Sequence, residues 1–149
     1  MTDAPVITID GPSGSGKGTI SQQLASSLGW HYLDSGAIYR ALAYAVEQAG
    51  LSVDVNKQQI EKLARELKLS FRPSADGGAE VLLDNVNITA FIRTEECGAM
   101  ASILASDGDI RAALLQRQRD FRKSPGLIAD GRDMGTVVFP DATHKIFLT

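Results

Sequence analysis

The sequence contains a single cysteine, Cys97, so no disulfide can form within the chain, which suits a reducing compartment. On a helical stretch that thiol reads as a small buried apolar group rather than a reactive one. Only two histidines are present, His31 and His144, with no partner at metal-ligand spacing, so a zinc site is not expected. Aromatic residues make up just 6%, and the one tryptophan, Trp30, is expected to pack beneath a strand. No apolar run approaches the ~18–20 residues that span a bilayer. The opening MTDAPVITID lacks the basic region and long apolar segment of a secretory signal. Net positive charge is missing too: fifteen basic residues face eighteen acidic ones, leaving −3. Proteins that hold nucleic acid through many phosphates usually carry net positive charge, at least locally. The expectation is a cytoplasmic protein with no nucleic-acid or membrane partner.

What is present reads as one domain over 1–149, with enough apolar residues (44%) for a real core. Val6-Ile7-Thr8-Ile9 is a β-branched run that reads as a buried strand. Ile20, Leu24 and Leu28 recur at helical spacing and predict one inward helix face, closed by Gly29. His31-Tyr32-Leu33 reads as a second strand. Asp34 or Ser35 can cap a helix carrying Ile38, Leu42, Ala45, Val46 and Ala49 on one side. Asp54 or Asn56 can start another, with Ile60, Leu63 and Leu67 inward. The period then changes: Leu67, Leu69 and Phe71 alternate, Asp76-Gly77-Gly78 predicts a turn, and 80–88 is again strand-like. Helical stretches follow near 94–104 and 109–122, then short apolar strands at Leu127-Ile128-Ala129 and Lys145-Ile146-Phe147-Leu148. Strands alternating with helices, each apolar on both faces, predict an α/β fold. Its parallel sheet carries helices on both faces, beside a small antiparallel β insertion.

The strongest local signal is Gly11-Pro12-Ser13-Gly14-Ser15-Gly16-Lys17-Gly18-Thr19, placed between a predicted strand and a predicted helix. Glycines let the backbone turn several N–H groups toward one anion, and the helix that follows adds its positive end. Lys17 can reach terminal phosphates as a mobile point charge. The strict phosphate-loop pattern has Ser or Thr directly after the lysine; here Gly18 stands there and cannot coordinate magnesium through a hydroxyl, and Thr19 comes next. A cluster of arginines (Arg111, Arg117, Arg119, Arg122, then Arg132) leaves two readings open, a solvated helix face or a small anionic ligand. Asp10, Asp34 and Asp130 each close a predicted strand and are expected to meet at the strand carboxyl ends, where open parallel sheets bind ligands. Arg40 and Arg132, near those ends, could clamp a phosphate bidentately, which lysine could not.

Residues 33–40 (LDSGAIYR) and 130–140 (DGRDMGTVVFP) resemble the signature stretches of the bacterial cytidylate kinases. These are nucleoside monophosphate kinases whose loops read GxxGxGKGT. With the phosphate loop the stretches run along nearly the whole chain in that family's order, and the β insertion at 67–88 resembles its enlarged monophosphate-binding region, about 51–106. The resemblance implies a P-loop kinase fold and transfer of a phosphoryl group from ATP to CMP or dCMP, in pyrimidine nucleotide metabolism, by a monomer. It assigns Arg40 and Arg132 to the acceptor phosphate, Ser35, Arg111 and Asp133 to the cytosine base, and Tyr39 to the same pocket. Lys17, Arg40 and Arg132 are the implied catalytic set. Magnesium is expected with ATP, held through water by Asp130 with Asp10 behind it. Plainer readings stay open: Asp133 as a surface partner of Arg132, Arg111 as a solvated charge, Tyr39 as core packing, Asp130 as a turn cap. A kinase acting on UMP, AMP or shikimate, and a nucleotide-binding fragment without turnover, are the alternatives. The sequence ends on the apolar strand 145–148, whereas the family continues into a helix and a mobile lid. The expectation is therefore a chain truncated before the lid.

Overall fold

The computed structural model describes residues 3–74 and 79–149. The predicted turn at Asp76-Gly77-Gly78 lies outside the described residues. In chain order the elements are β1 (Val6–Asp10), α1 (Lys17–Leu28), β2 (His31–Asp34), α2 (Ser35–Gln48), α3 (Lys57–Arg65), β3 (Leu69–Pro73), β4 (Ala79–Leu83), β5 (Val86–Asn87), α4 (Thr89–Ile92), α5 (Glu95–Ala105), α6 (Gly108–Arg119), β6 (Leu127–Gly131), a π-helical turn (Met134–Val138) and β7 (His144–Phe147). They group into two compact units, one of Met1–Ser35, Phe71–Ala79 and Gln118–Thr149, the other of Gly36–Ser70 and Glu80–Arg117.

The first unit is built on a parallel sheet in the order β2-β6-β1-β7. β1 pairs with β6 from Val6 opposite Leu127 to Asp10 opposite Gly131, and with β7 on its other side. β2 pairs with β6, setting Asp34 opposite Asp130. The two central strands, VITID and LIADG, are buried at every residue, as the apolar runs predicted. The edges differ: β2 buries only Leu33, and β7 is exposed throughout.

Helix α1 departs from the predicted face. Its buried residues are Ser21 and Ala25, while Ile20 and Leu28 are exposed. Ala25 joins Ile7, Ile9 and Ile128 in a core cluster, with Leu24, Trp30, Tyr32 and Leu148 packed against it. Small side chains let the helix approach the sheet closely, and Ser21 satisfies its hydroxyl by donating to the Lys17 carbonyl at 2.5 Å. Apolar spacing alone could not reveal that preference. Trp30 lies flat against the start of β6: a Cβ added at Gly126 would stand 2.4 Å from its indole.

The π-helical turn had no sequence prediction. Both carboxylate oxygens of buried Asp10 accept from it, from the Met134 and Gly135 N–H groups at 2.9 Å each. Asp10 is thus spent on the backbone of the β6–β7 connection. Arg119, at the end of α6, and Arg122, beyond it, are likewise structural. Arg119 Nε donates to the Val138 carbonyl at 3.0 Å. Arg122 donates to the Ala4 carbonyl at 2.6 Å and pairs with Asp141 at 2.9 Å. That ion pair holds the Asp141 carboxyl below its usual range. These side chains line a cleft of about 360 Å³ with Asp3, Val138, Phe139 and Pro140. They are not a bare solvated face.

In the second unit, α2 buries Ile38, Leu42 and Val46 as predicted, and α3 buries Ile60. Leu67 is buried too, but beyond the end of α3. The antiparallel insertion appears as a three-stranded sheet, β3-β4-β5. The stretch 80–88 is not one strand: Leu83 pairs with Val86 across Asp84-Asn85, whose φ values are 51° and 67°. Two consecutive left-handed residues make a tight hairpin turn that Asp and Asn tolerate best. Thr94 caps α5, its hydroxyl accepting from the Cys97 N–H at 3.1 Å, and Arg117 Nε donates to the Leu67 carbonyl at 2.6 Å.

The Trp30 contact generates a test. Replacing Gly126 with Ala forces indole and strand apart, and overpacking of this kind typically costs ~1–3 kcal/mol. Urea denaturation of Gly126→Ala should show a lowered midpoint with an unchanged slope. An unshifted midpoint would mean that the ring moves aside at no cost.

Candidate active site

β1 ends at Asp10, and the chain turns through the glycine loop before α1 begins at Lys17. Gly14 and Gly16 take φ values of 79° and 86°, in the left-handed region that L side chains rarely adopt. Gly16 is also the N-cap of α1, so no side chain covers the first turn, which carries no acidic residue either. An α-helix opening on bare N–H groups with its positive end forward is a ready anion seat. The Gly11 N–H donates to the Gly131 carbonyl at 3.1 Å, tying the root of the loop to the end of β6. Lys17 Nζ lies 3.4 Å from the Pro12 carbonyl, folded back over the loop. Arg132, just past β6, donates to the Ser13 hydroxyl at 3.1 Å. Two cations therefore stand over one glycine loop.

Behind the loop lies an acidic set. Asp130 is buried, and its Oδ2 accepts from the Tyr32 hydroxyl at 2.6 Å. Burial, and next the charge of Asp34, push the Asp130 carboxyl up to about 7; the hydrogen bond from Tyr32 and the charge of Lys17 oppose the rise. Tyr32 is pushed far above its ordinary value by burial first, then by Asp34 and Asp130. Two carboxylates at adjacent strand ends, one incompletely relieved by a lysine, are a hard-oxygen donor set. They suit a hydrated divalent cation that also meets phosphate oxygens. Asp130, the first candidate for such an ion, has one oxygen engaged by Tyr32. Asp10, the second candidate, has both oxygens committed to backbone N–H groups.

Of the residues assigned to the acceptor nucleotide, the first unit contains Ser35, Arg132 and Asp133. Ser35 opens α2 directly after β2 and donates to Gln118 Oε1 at 2.7 Å, both side chains being buried. A Cβ at Gly131 would stand 3.0 Å from the Ser35 Cβ, so glycine there is what lets the serine seat against β6. Asp133 leads the π-helical turn, its carbonyl accepting from the Val137 N–H at 2.9 Å. The second unit contains Tyr39, Arg40 and Arg111. Arg111 places its guanidinium 5.9 Å from the Tyr39 ring centre and donates to the Ala105 carbonyl at 3.1 Å. Arg40 donates to the carbonyls of Ile92 at 2.7 Å and Thr94 at 3.3 Å. Arg111 is thus not a bare solvated charge, and Tyr39 is more than core packing. Sequence reasoning missed Tyr32 and Gln118; both looked like ordinary strand and helix residues, and only their distant partners give them a role.

Among the described residues no group of three or more His, Cys, Asp or Glu could hold a metal ion, and no helix is long and apolar enough to cross a membrane. A phosphate loop after the central strand of a parallel sheet, with arginine and aspartate from a neighbouring strand end beside it, defines a P-loop kinase fold. The sequence pattern described as cytidylate kinase matches residues 7–149, and the chain belongs to the cytidylate kinase family. It is 56% identical over 149 residues to a cytidylate kinase of Marinomonas sp., covering 100% of this chain and 65% of that protein. Similarity to the cytidylate kinase of Nitrosococcus oceani is 56% over 148 residues, covering 99% and 65%. For Colwellia psychrerythraea it is 57% over 145 residues, covering 97% and 64%. The chain thus spans about 65% of the length of these relatives.

The raised Asp130 carboxyl has a measurable consequence. Its pKa is about 7 in the folded protein, well above the usual carboxylate range, so the folded protein holds the proton more tightly. That contribution to stability is complete below the unfolded value and is lost as pH rises through about 7. Asp130→Asn cannot ionise, so without nucleotide or divalent ion it should gain on the parent from pH 5 to pH 8, by up to ~3 kcal/mol. Denaturation midpoints at the two pH values read the gap, and a gap that stays constant would show that the carboxylate ionises freely.

Proposed function

We propose that the full-length protein transfers the γ-phosphoryl group of ATP to CMP or dCMP, giving ADP and CDP or dCDP. The single observation that carries the reading is the pair of cations over the glycine loop: Lys17 on α1, and Arg132 reaching the Ser13 hydroxyl from beyond β6. A donor phosphate on the loop and an acceptor phosphate on Arg132 would then meet within one crevice. Family membership over residues 7–149 supports the choice of acceptor.

In this reading the backbone N–H groups of Gly11 to Thr19 hold the ATP phosphates, with Lys17 on the terminal pair. Arg40 and Arg132 grip the acceptor phosphate bidentately. One of its oxygens attacks the γ-phosphorus, and the bond to the β–γ bridging oxygen breaks. The work of the protein is positioning and charge neutralisation, so no side chain forms a covalent intermediate. Magnesium, when bound with ATP, neutralises charge shared between the phosphates; Asp130 would hold it through water. Ser35, Arg111 and Asp133 read the cytosine: its N4 amino group donates, while N3 and O2 accept. Tyr39, beneath the Arg111 guanidinium, lines the base pocket. Residues of about 51–106 serve as the monophosphate-binding insertion. The reading includes a monomer working in the cytoplasm, without nucleic-acid or membrane partners.

Release of ADP, measured across CMP, dCMP, UMP, AMP and shikimate, tests the proposal. CMP and dCMP should dominate; an equal or better rate with another acceptor moves the function within the fold, and no acceptor-dependent release leaves a nucleotide-binding module. Lys17→Ala should lower turnover by at least ~100-fold, as removal of a transition-state charge contact does. Its thermal midpoint should match the parent, because a partly exposed lysine rarely matters to stability. Near-normal turnover in that variant would remove the lysine from the mechanism.

A further inference from the structure

Gln118 has the burial of a core residue and the chemistry of a recognition residue. It lies near the end of α6 at 2% exposure, where an amide is costly unless bonded. Its Oε1 accepts a hydrogen bond from a side chain 83 residues away, the Ser35 hydroxyl, at 2.7 Å. Ser35 is the first residue of α2 and only 7% exposed, so its hydroxyl also needs a partner. The bond to Gln118 supplies one, and Gly131 fixes the serine from the other side, since any Cβ there would crowd the Ser35 Cβ at 3.0 Å.

We infer that Gln118 is a positioning residue for acceptor choice: by accepting the Ser35 hydrogen bond, it leaves Ser35 to face the acceptor nucleotide with lone pairs only. A hydroxyl carries one proton and two acceptor sites, so once the proton is committed the oxygen can only accept. Ser35 then pairs with an N–H donor on the base, such as the exocyclic amine of cytosine, and opposes the carbonyl oxygen that uracil presents at the same position. Discrimination arises because an acceptor facing an acceptor leaves buried groups unpaired. The inference rests on the reading above that Ser35 meets the acceptor's base.

The test uses the full-length protein with Ser35→Ala, Gln118→Met and the double variant. Readouts are kcat and KM for CMP, UMP and ATP. Gln118→Met should lower the CMP-over-UMP ratio of kcat/KM about tenfold, chiefly through a lower KM for UMP, with KM for ATP unchanged. The double variant should fall no further than Ser35→Ala alone, because the two residues act as one unit. A merely structural Gln118 would lower both acceptors together and leave the ratio in place. If Ser35→Ala moves the ratio and Gln118→Met does not, the inference is overturned while Ser35 keeps its place in the site. If Ser35→Ala does not move it, the reading of Ser35 fails and the inference with it. Should Gln118→Met not fold, Gln118→Glu supplies the decision: it keeps an acceptor oxygen at the same reach and should retain the parent ratio. A shift toward UMP in Gln118→Glu would overturn the inference.

Discussion

The parallel register of β1 against β6 is the constraint from which the candidate site follows. Two runs more than a hundred residues apart in sequence are held with Ile9 opposite Asp130 and Asp10 opposite Gly131. The glycine loop leaves one strand where Gly131-Arg132-Asp133 leaves the other. The carbonyl of Gly131 and the carboxylate of Asp10 then stitch the two exits together, through the Gly11, Met134 and Gly135 N–H groups. A one-residue slip would exchange the faces of every side chain on β6, taking Asp130 and its tyrosine partner out of reach. Because both strands are buried on both sides, apolar packing specifies the register as strongly as the hydrogen bonds do.

Charge is arranged around that register as a near balance. Lys17 and Arg132 stand at the loop, and Asp34 and Asp130 behind it. The acids are near enough to one another, and Asp130 is buried deeply enough, that it resists ionisation. Such a site has little charge to spare of either sign. An anion on the loop draws on Lys17, which then relieves Asp130 less, so a divalent cation would be favoured by the same event that brings phosphate. This is one way a site can take up nucleotide and metal together.

Signals carried by local spacing were legible in the sequence. The glycine turn from β1 into a helix at Lys17, the cap at Gly29 and the buried runs of β1 and β6 were all read correctly, because each depends on neighbours within a turn or a strand. Features decided at a distance were not legible. The inward face of α1 was assigned to Ile20, Leu24 and Leu28 by spacing; Leu24 does pack on the core, but closeness to the sheet favoured Ser21 and Ala25 over the other two. The hairpin at Asp84-Asn85 was hidden inside an apolar stretch that read as continuous. Arginines 117, 119 and 122 looked like a charge cluster because their partners are backbone carbonyls, which no sequence pattern displays. Within the site, the acids at the strand ends were anticipated. The hydroxyl of Tyr32 and the amide of Gln118, which hold Asp130 and Ser35, were not.

Trp30 packs on Gly126 at the edge of the core cluster that contains Ile7, Ile9 and Ile128, and it is the chain's only tryptophan. Its emission therefore comes from one known place, where the turn after α1 meets the first residues before β6. Red-shifted or quenched indole fluorescence would report water reaching that seam. Loss of structure in the second unit, with the seam intact, would leave the signal largely unchanged. The protein thus has a built-in optical gauge for its parallel sheet, separable from the far-ultraviolet signal of helices in both units.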